Sequence, residues 1–218
     1  MGTVGKLGHG LRIFWRELTR KRHAALLSKV PASRPSIGLA LGGGFARGLA
    51  HIGVLRVLED NHIPIDFVAG TSVGSVIGAA FASGVSAREM QEIAGLVRVR
   101  DFARFTLSLL GLCSNDRMQM FLEKLLKVKT FEELKIPLAV SATDFVSGEG
   151  VVFRSGSLVD AVRASCAYPG MFLPVNLGGR LYVDGMLGYA VPAVPLREMG
   201  AEREPAATVA GGRLCNVP

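Results

Sequence analysis

Two apolar runs, each followed by a glycine-rich turn and a stretch with helical character, shape the first half of the chain. Residues 37–41 and 65–69 have the length and apolar content of buried strands. After the first run, apolar residues recur at helical spacing over residues 49–58. After the second, the small and apolar residues of 75–81 suit a helix packed closely on a sheet. The pattern therefore predicts strand, turn and helix twice in succession.

The second half of the chain continues this pattern with a helix and further strands. Residues 118–126 place apolar side chains at helical spacing, with Ser114 or Asn115 as the cap at the start of the helix. Residues 140–144 and 151–154 flank a polar, glycine-containing turn, which predicts a β-hairpin. A chain of 218 residues, of which 49% are hydrophobic, fits one domain with a sizeable core.

All of the net charge of the chain lies in a leader, residues 1–35. The leader holds eight basic residues and one acid, whereas the 17 basic and 17 acidic residues of the remainder cancel, leaving +7. Phe14 and Trp15 lie among leucines that approximate one helical face, a composition typical of helices on anionic membrane surfaces. A disordered arm, a nucleic-acid patch and a helix packed on the domain are the alternatives. The neutral remainder and the lack of a binding motif argue against nucleic acid as a partner.

The cysteines and the N-terminal composition indicate in which cellular compartment the protein is located. Cys113, Cys166 and Cys215 are odd in number, widely spaced and without a C-x-x-C pair. This argues against a disulfide framework and against zinc, and suits a reducing environment. No long apolar core precedes the basic residues of the leader, so no secretory signal is evident. We expect a cytoplasmic protein with peripheral membrane contact through the leader.

The first candidate for chemistry is a G-x-S-x-G elbow, Gly70-Thr71-Ser72-Val73-Gly74, between the second predicted strand and its helix. In such elbows the serine is the nucleophile, and the glycines remove side chains where the backbone turns sharply. Every histidine of the chain precedes Ser72, so the usual order of serine, acid and histidine is impossible. A carboxylate that acts directly as the base, in a Ser–Asp dyad, remains possible. A chance match in a glycine-rich chain is the alternative.

The second candidate is the glycine loop between the first predicted strand and its helix. It reads Gly42-Gly43-Gly44-Phe45-Ala46-Arg47-Gly48. The lysine and hydroxyl residue of a phosphate-binding P-loop are absent, and the last glycine comes one residue too late for a dinucleotide loop. Backbone N–H groups at Gly42, Gly43 and Gly44 could instead form an oxyanion hole, with Arg47 adding positive charge. Only this use explains why a nucleophile elbow follows on the next strand.

The base has two main candidates, both at the ends of predicted strands. Asp184 follows the apolar residues 181–183 and precedes Gly185, and Asp144 follows 138–143. Ligands of open α/β sheets bind where strands end, so either position is suitable. Asp66 and Asp160 are further options. The residues alone do not favour Asp184 over Asp144 as the base. For each of them, the ordinary alternative is that the aspartate caps a turn.

Taken together, these motifs resemble the bacterial branch of the patatin-like phospholipase family. The matching segments are residues 39–48, 69–75 and 184–185, with weaker matches over 136–144 and 164–172. The resemblance covers about residues 36–200. It implies an α/β fold with a doubly wound, mostly parallel sheet and helices on both faces. It also implies that Ser72 is the nucleophile, Asp184 the base and the glycine loop the oxyanion hole, with no metal or cofactor.

Two features depart from this family. Met186 follows Gly185 where the family usually has glycine or alanine, which could crowd the site. After Ala201, charges, a proline and glycines replace the next hydrophobic strand of the family. We therefore expect a sheet without that strand and a divergent, disordered tail over 202–218, as in a truncated or frameshifted reading frame; a natural short variant is the alternative. The predicted organisation is the leader 1–35, a hydrolase domain over 36–201, and this tail.

The expected function is that of a serine acyl-ester hydrolase acting on lipids, similar to phospholipases A and lysophospholipases. The expected partners are the lipid substrate and an anionic membrane surface. Residues 102–112, rich in Phe and Leu, either pack in the core or line a groove for the acyl chain. The alternative function is a catalytically impaired, membrane-associated adaptor with the same fold.

Overall fold

The computed structural model describes residues 34–98, 101–102, 104–108, 111–207 and 215–216. Contacts within the chain separate Met1–Pro35 from Ser36–Pro218. Residues 1–33 of the predicted leader lie outside the described residues, so its helix and its membrane contact stay predictions. The helices that the structure describes all lie in the second unit. None of the helices described there is long and apolar enough to cross a bilayer.

The second unit contains both strands and helices. The strands are β1 (Gly38–Leu41), β2 (Phe67–Thr71), β3 (Arg104–Ser108), β4 (Gly111–Ser114), β5 (Leu138–Asp144), β6 (Gly150–Phe153), β7 (Gly170–Phe172), β8 (Val175–Leu177), β9 (Arg180–Asp184), β10 (Pro205–Ala207) and β11 (Cys215–Asn216). The helices are α1 (Ala50–Asp60), α2 (Val73–Ser83), α3 (Ala87–Leu96), α4 (Asp116–Leu125), α5 (Leu158–Ser165) and α6 (Ala193–Glu198). Both strand–turn–helix units and the β5–β6 hairpin are therefore confirmed.

The main sheet is mixed, with a parallel centre. Its strand order is β11-β10-β1-β2-β5-β9-β8, and β6 also pairs with β5. Strands β1, β2 and β5 run parallel and are buried along their whole length. Continuous burial of this kind requires cover on both faces. Strand β9 joins antiparallel to β5, with Ala142 opposite Asp184, so the end of β9 lies beside the centre of the sheet.

Helices cover the two faces of the sheet. On one face, Leu39 belongs to a core that also includes residues of α1 to α5. The neighbouring Gly38 points to the opposite face, where a Cβ atom would lie 3.1 Å from Leu196 of α6. The expected doubly wound α/β architecture is therefore confirmed. Helix α4 starts after Asn115 as predicted, but the Asn115 amide bonds to the Arg163 carbonyl rather than capping the helix.

The expectation that the sheet lacks a strand after Ala201 is wrong. A short strand does follow Ala201: β10 pairs parallel with β1, and the Gly38 N–H donates to the Arg203 carbonyl at 2.8 Å. Backbone groups alone make this pairing, so the segment needs no apolar pattern. Pro205 takes the first position of the strand, where a residue without an N–H is tolerated. The rest of the predicted tail, residues 208–214 and 217–218, lies outside the described residues.

A second, three-stranded sheet contains much of the apolar stretch 102–112. Strands β3 and β4 form an antiparallel pair, and β4 pairs parallel with β7. Phe102 packs edge-on against Phe121 at a centroid distance of 4.8 Å, next to the core. In contrast, the Leu112 side chain on β4 is 63% exposed, and so is much of Met171, its neighbour in register on β7. The stretch thus contributes to packing at one end and to the surface at the other.

Candidate active site

The G-x-S-x-G segment forms a tight turn between β2 and α2. Ser72 sits at the turn with φ +53° and ψ −127°, a left-handed conformation that costs energy for a residue with a side chain. A Cβ atom on Gly74 would lie 2.1 Å from the Leu41 carbonyl oxygen, and one on Gly70 would lie 2.5 Å from Ser75 Cα. Both glycines are thus required by contact with main-chain atoms, as the elbow prediction assumed.

The structure brings Ser72 and Asp184 together. The Ser72 hydroxyl donates a hydrogen bond to Asp184 Oδ2 at 2.7 Å, across 112 positions of sequence. The other carboxylate oxygen, Oδ1, accepts the N–H of Met186 at 2.9 Å, and Thr143 donates to the Asp184 carbonyl at 3.0 Å. Gly185 permits this turn because a Cβ there would lie 2.3 Å from the Ser141 carbonyl oxygen. The carboxylate is therefore held in one orientation, facing the serine.

Burial controls the acidity of Asp184. The residue is 1% exposed, and desolvation raises the pKa of its carboxyl group to about 6, although the hydrogen bonds from Met186 and Ser72 act in the opposite direction. A carboxylate with a pKa near 6 is still ionised at neutral pH but accepts protons more readily than an ordinary aspartate. Such a group suits general-base chemistry.

Asp144, the competing candidate, faces a different set of partners. Its Oδ1 accepts the N–H groups of Val146 and Ser147, each at 3.0 Å, and its Oδ2 lies 3.6 Å from Arg180 Nε. These backbone hydrogen bonds, and to a lesser degree the Arg180 charge, lower the pKa of the Asp144 carboxyl group. Asp144 therefore organises the turn between β5 and β6.

The two minor candidates also bond elsewhere. Asp66 accepts the N–H of Ile37 at 2.8 Å, at the start of the main sheet. Asp160 lies near the start of α5 and pairs with Arg163 at 3.4 Å. Of the four aspartates considered from the sequence, Asp184 is the one in contact with Ser72.

The glycine loop lies against the elbow. A Cβ atom on Gly48 would lie 2.1 Å from Val73 Cγ1, so Gly48 allows the one-turn helix Phe45–Leu49 to approach α2. The Gly43 N–H donates to the Ala190 carbonyl at 3.3 Å, a long hydrogen bond. No acceptor for the Gly44 N–H is found within the described parts of the chain. Arg47 is exposed on the outer side of this turn.

Two further residues, His51 and Ser165, lie outside the elbow and the glycine loop and bond to their main chains. His51 is 2% exposed, and its Nε2 lies 2.9 Å from the Gly42 carbonyl. Burial lowers the pKa of the His51 imidazole, so the neutral ring donates to that carbonyl and fixes the start of the glycine loop. Ser165 accepts the Ser72 N–H on its hydroxyl at 2.8 Å. Its only sequence signal was its place in the weakly matching segment 164–172.

Cys166 lies beside these groups, but its thiol is not a candidate nucleophile. The residue is buried, and its Sγ is 4.0 Å from Ser75 Oγ. Burial, and then the charge of Asp184, raise the pKa of the Cys166 thiol, so it stays protonated. No cluster of three His, Cys, Asp or Glu side chains that could hold a metal ion occurs in the described ranges.

Access to the dyad is narrow. Ser72 exposes 7% of its surface. A cavity of about 540 Å³ lies elsewhere, between α5 and β8, and its lining includes Asn115, Arg163 and Asn176 but neither Ser72 nor Asp184. Hydrogen-bond geometry and burial, rather than cavity size, therefore single out the dyad as the candidate active site.

Comparisons with known proteins identify the family of the chain. The family model of patatin-like phospholipases matches residues 39–197. An uncharacterized NTE family protein of Mycobacterium bovis is 34% identical over 174 residues, which are 78% of this chain and 48% of that protein. Patatin-like phospholipase domain-containing protein 6 of Mus musculus is 32% identical over 204 residues, covering 88% of this chain and 15% of that protein. The chain thus spans about half the length of the bacterial relative and a small part of the mammalian one.

A solved structure supports the fold independently. VipD from Legionella pneumophila matches with a TM-score of 0.55 at 15% identity, over 69% of this chain and 45% of that chain. The family model covers most of the sequence and includes the glycine loop, the elbow and Asp184-Gly185. The chain therefore belongs to the patatin-like phospholipase family.

Proposed function

We propose that this chain is a serine acyl-ester hydrolase of lipids, with the type of activity found in phospholipases A and lysophospholipases, and that Ser72 and Asp184 form its catalytic dyad. Membership of the family supports lipid hydrolysis in general. The observation that carries the finer proposal is the 2.7 Å hydrogen bond from Ser72 Oγ to Asp184 Oδ2. No histidine is needed, because the carboxylate itself is in position to take the proton.

In the first half of the reaction, Ser72 Oγ attacks the ester carbonyl carbon while Asp184 Oδ2 accepts the hydroxyl proton. The negative oxygen of the tetrahedral intermediate lies towards the glycine loop, where backbone N–H groups stabilise it. As the intermediate collapses, Asp184 returns the proton to the departing alcohol. The acyl group is then bonded to Ser72.

In the second half, Asp184 takes a proton from a water molecule, and the hydroxide attacks the acyl-Ser72 ester. Collapse of the second intermediate releases the fatty acid and returns the proton to Ser72. The hydrogen bond from the Met186 N–H to Asp184 Oδ1 keeps the carboxylate in the same place through both steps. The proposed chemistry therefore needs no group beyond this chain and water.

The surface around the dyad supports a lipid as the substrate. Phe45 and Leu49, on the turn after the glycine loop, are 45% and 46% exposed, and Leu187, close after Asp184, is 59% exposed. The Phe45 ring contacts the Tyr168 ring edge-on at a centroid distance of 5.2 Å, and the N–H of the exposed Met171 on β7 donates to the Tyr168 carbonyl at 3.1 Å. Exposed apolar groups beside a buried reactive serine suit an acyl chain better than a polar substrate.

A fluorophosphonate probe tests the proposal directly, because such probes bond covalently to an activated serine. We expect the wild-type protein to be labelled and Ser72→Ala to remain unlabelled, while both show the same circular dichroism spectrum. Mass spectrometry of the labelled peptide identifies the modified residue. A folded wild-type protein that is not labelled would instead favour the non-catalytic, membrane-associated adaptor.

We also propose that the leader brings the chain to an anionic membrane surface. Deletion of residues 1–35 is expected to weaken binding to vesicles that contain phosphatidylserine, since the leader carries the whole net charge of +7. The binding of the full chain should fall as salt is added, because exposed charges are screened over about 8–10 Å at physiological ionic strength. Co-sedimentation at low and high salt measures both effects.

The control for this deletion is hydrolysis of a soluble short-chain ester. The rate should be unchanged, because Gly43, Ser72 and Asp184 lie outside the leader. Equal vesicle binding by both forms would exclude the leader from the membrane contact. Loss of the soluble activity would show that the leader supports the fold of the domain.

A further inference from the structure

The turn that follows Asp184 lies over the glycine loop. This covering turn, residues 185–190, is anchored through its main chain: the N–H groups of Gly188 and Tyr189 donate to the Gly185 carbonyl at 3.1 and 2.7 Å. Thr71, next to the nucleophile, donates to the Tyr189 carbonyl at 2.7 Å. The backbone of the covering turn is therefore fixed to the elbow that it covers.

One side chain of the covering turn occupies the space in front of the glycine loop. A Cβ atom on Gly43 would lie 2.4 Å from both Cγ and Sδ of Met186, and 3.4 Å from Ser72 Cβ. The thioether of Met186 thus rests on the face of Gly43 that is turned towards Ser72. This is the space in which the acyl group of an ester bonded to Ser72 would lie.

The Gly43 donor is engaged by the same turn. Its N–H donates to the Ala190 carbonyl at 3.3 Å, near the upper limit for a hydrogen bond. The nucleophile beneath is 7% exposed. An ester can therefore reach Ser72 only if part of the covering turn moves away from Gly43. The side chain of Met186 is the group that can change most easily, because it has three rotatable bonds while the backbone of the covering turn is anchored.

We propose that Met186 determines acyl selectivity, an inference that rests on the proposed hydrolase function. The Met186 side chain turns away from Gly43 to admit a straight acyl group, and then borders the carbon next to the ester carbonyl. An acyl group branched at that carbon meets the thioether and is hydrolysed poorly. Met186 acts here as a specificity-determining residue, while its N–H separately orients Asp184.

The test compares two isomeric soluble esters, p-nitrophenyl butyrate and p-nitrophenyl isobutyrate, which share a leaving group and differ in branching beside the carbonyl. Wild type should prefer the straight isomer, and Met186→Ala should reduce the ratio of the two kcat/KM values about tenfold, since a contact of this size in an apolar pocket discriminates about 10–200-fold. Met186→Leu, which has a similar volume, should retain most of the preference.

The control is the pH dependence of kcat/KM, which should be the same in Met186→Ala and wild type. The main-chain N–H that bonds Asp184 remains in the variant, so an altered pH profile would mean that the substitution acts through Asp184 and would overturn the inference. An unchanged straight-to-branched ratio in an active Met186→Ala variant would also overturn it.

The same experiment separates this inference from the proposed function. If neither wild type nor Met186→Ala hydrolyses either ester or reacts with a fluorophosphonate, the hydrolase proposal fails and the inference falls with it. If wild type is inert and Met186→Ala is labelled at Ser72, Met186 closes the site of the wild-type protein, and both the selectivity inference and the hydrolase activity of the wild-type chain are overturned.

Discussion

Asp184→Asn is expected to lower kcat/KM for a soluble ester by about 10³- to 10⁴-fold, the range typical for loss of a positioned base. The amide keeps the size of the side chain but cannot accept the Ser72 proton that the carboxylate receives across 2.7 Å. Initial rates at neutral pH measure the effect. The matched control is Asp144→Asn, which removes a carboxylate that organises the β5–β6 turn and should retain most of the activity.

The pH dependence of wild type follows from the same residue. Only the ionised carboxylate of Asp184 can accept a proton, and its pKa is about 6. The kcat/KM of wild type should therefore rise as pH increases through 6 and level off above it, and the remaining activity of Asp184→Asn should lack this step. An inactive Asp144→Asn together with an active Asp184→Asn would show that the base has been assigned to the wrong residue.

Gly74→Ala is expected to destabilise the fold by more than about 3 kcal/mol and to abolish activity. The added Cβ atom would lie 2.1 Å from the Leu41 carbonyl oxygen and 2.6 Å from that of Gly42, and main-chain atoms at the end of β1 cannot move aside cheaply. Thermal unfolding followed by circular dichroism, with expression of soluble protein, measures the loss.

The matched control is Gly53→Ala, the same substitution in the interior of helix α1. No atom lies within 4 Å of the position that its Cβ would take. Alanine favours a helix over glycine by about 0.8–1.0 kcal/mol, so this variant should be as stable as wild type or slightly more stable. Equal melting temperatures for Gly74→Ala and Gly53→Ala would show that close approach of the elbow to β1 does not constrain the fold.

Local features of the fold were predictable from the sequence because local sequence determines them. Strands β1 and β2 are short apolar runs, and the elbow between β2 and α2 needs Gly70 and Gly74 for steric reasons that any G-x-S-x-G turn shares. The choice of base was different. Asp184 and Asp144 both end strands, and only the antiparallel pairing of β9 with β5 puts Asp184 beside Ser72. The sequence reached that choice through the family resemblance, since spacing alone left the two level.

The features that the sequence did not predict depend on main-chain groups or on contacts between distant segments. Strand β10 pairs with β1 through backbone hydrogen bonds, which any sequence can form. The charges and the proline of its segment therefore did not predict a strand. His51 bonds to the Gly42 carbonyl, nine positions earlier in the glycine loop, and belongs to no motif of its own. Met186 was noted as a departure from the family, but its contact with Gly43 requires the covering turn to fold back over the site.

The separation of the two dyad residues has a consequence for biosynthesis. The elbow is complete when β1, β2 and α2 have formed, whereas Asp184 follows 112 residues later and joins through β5. During translation, the chain therefore carries an assembled serine elbow long before its base is available. Contacts at such separation form late because a long loop must close first. Under the proposed function, the growing chain would be inert towards nearby lipids until β9 pairs with β5, so hydrolysis would begin only after Asp184 has reached Ser72.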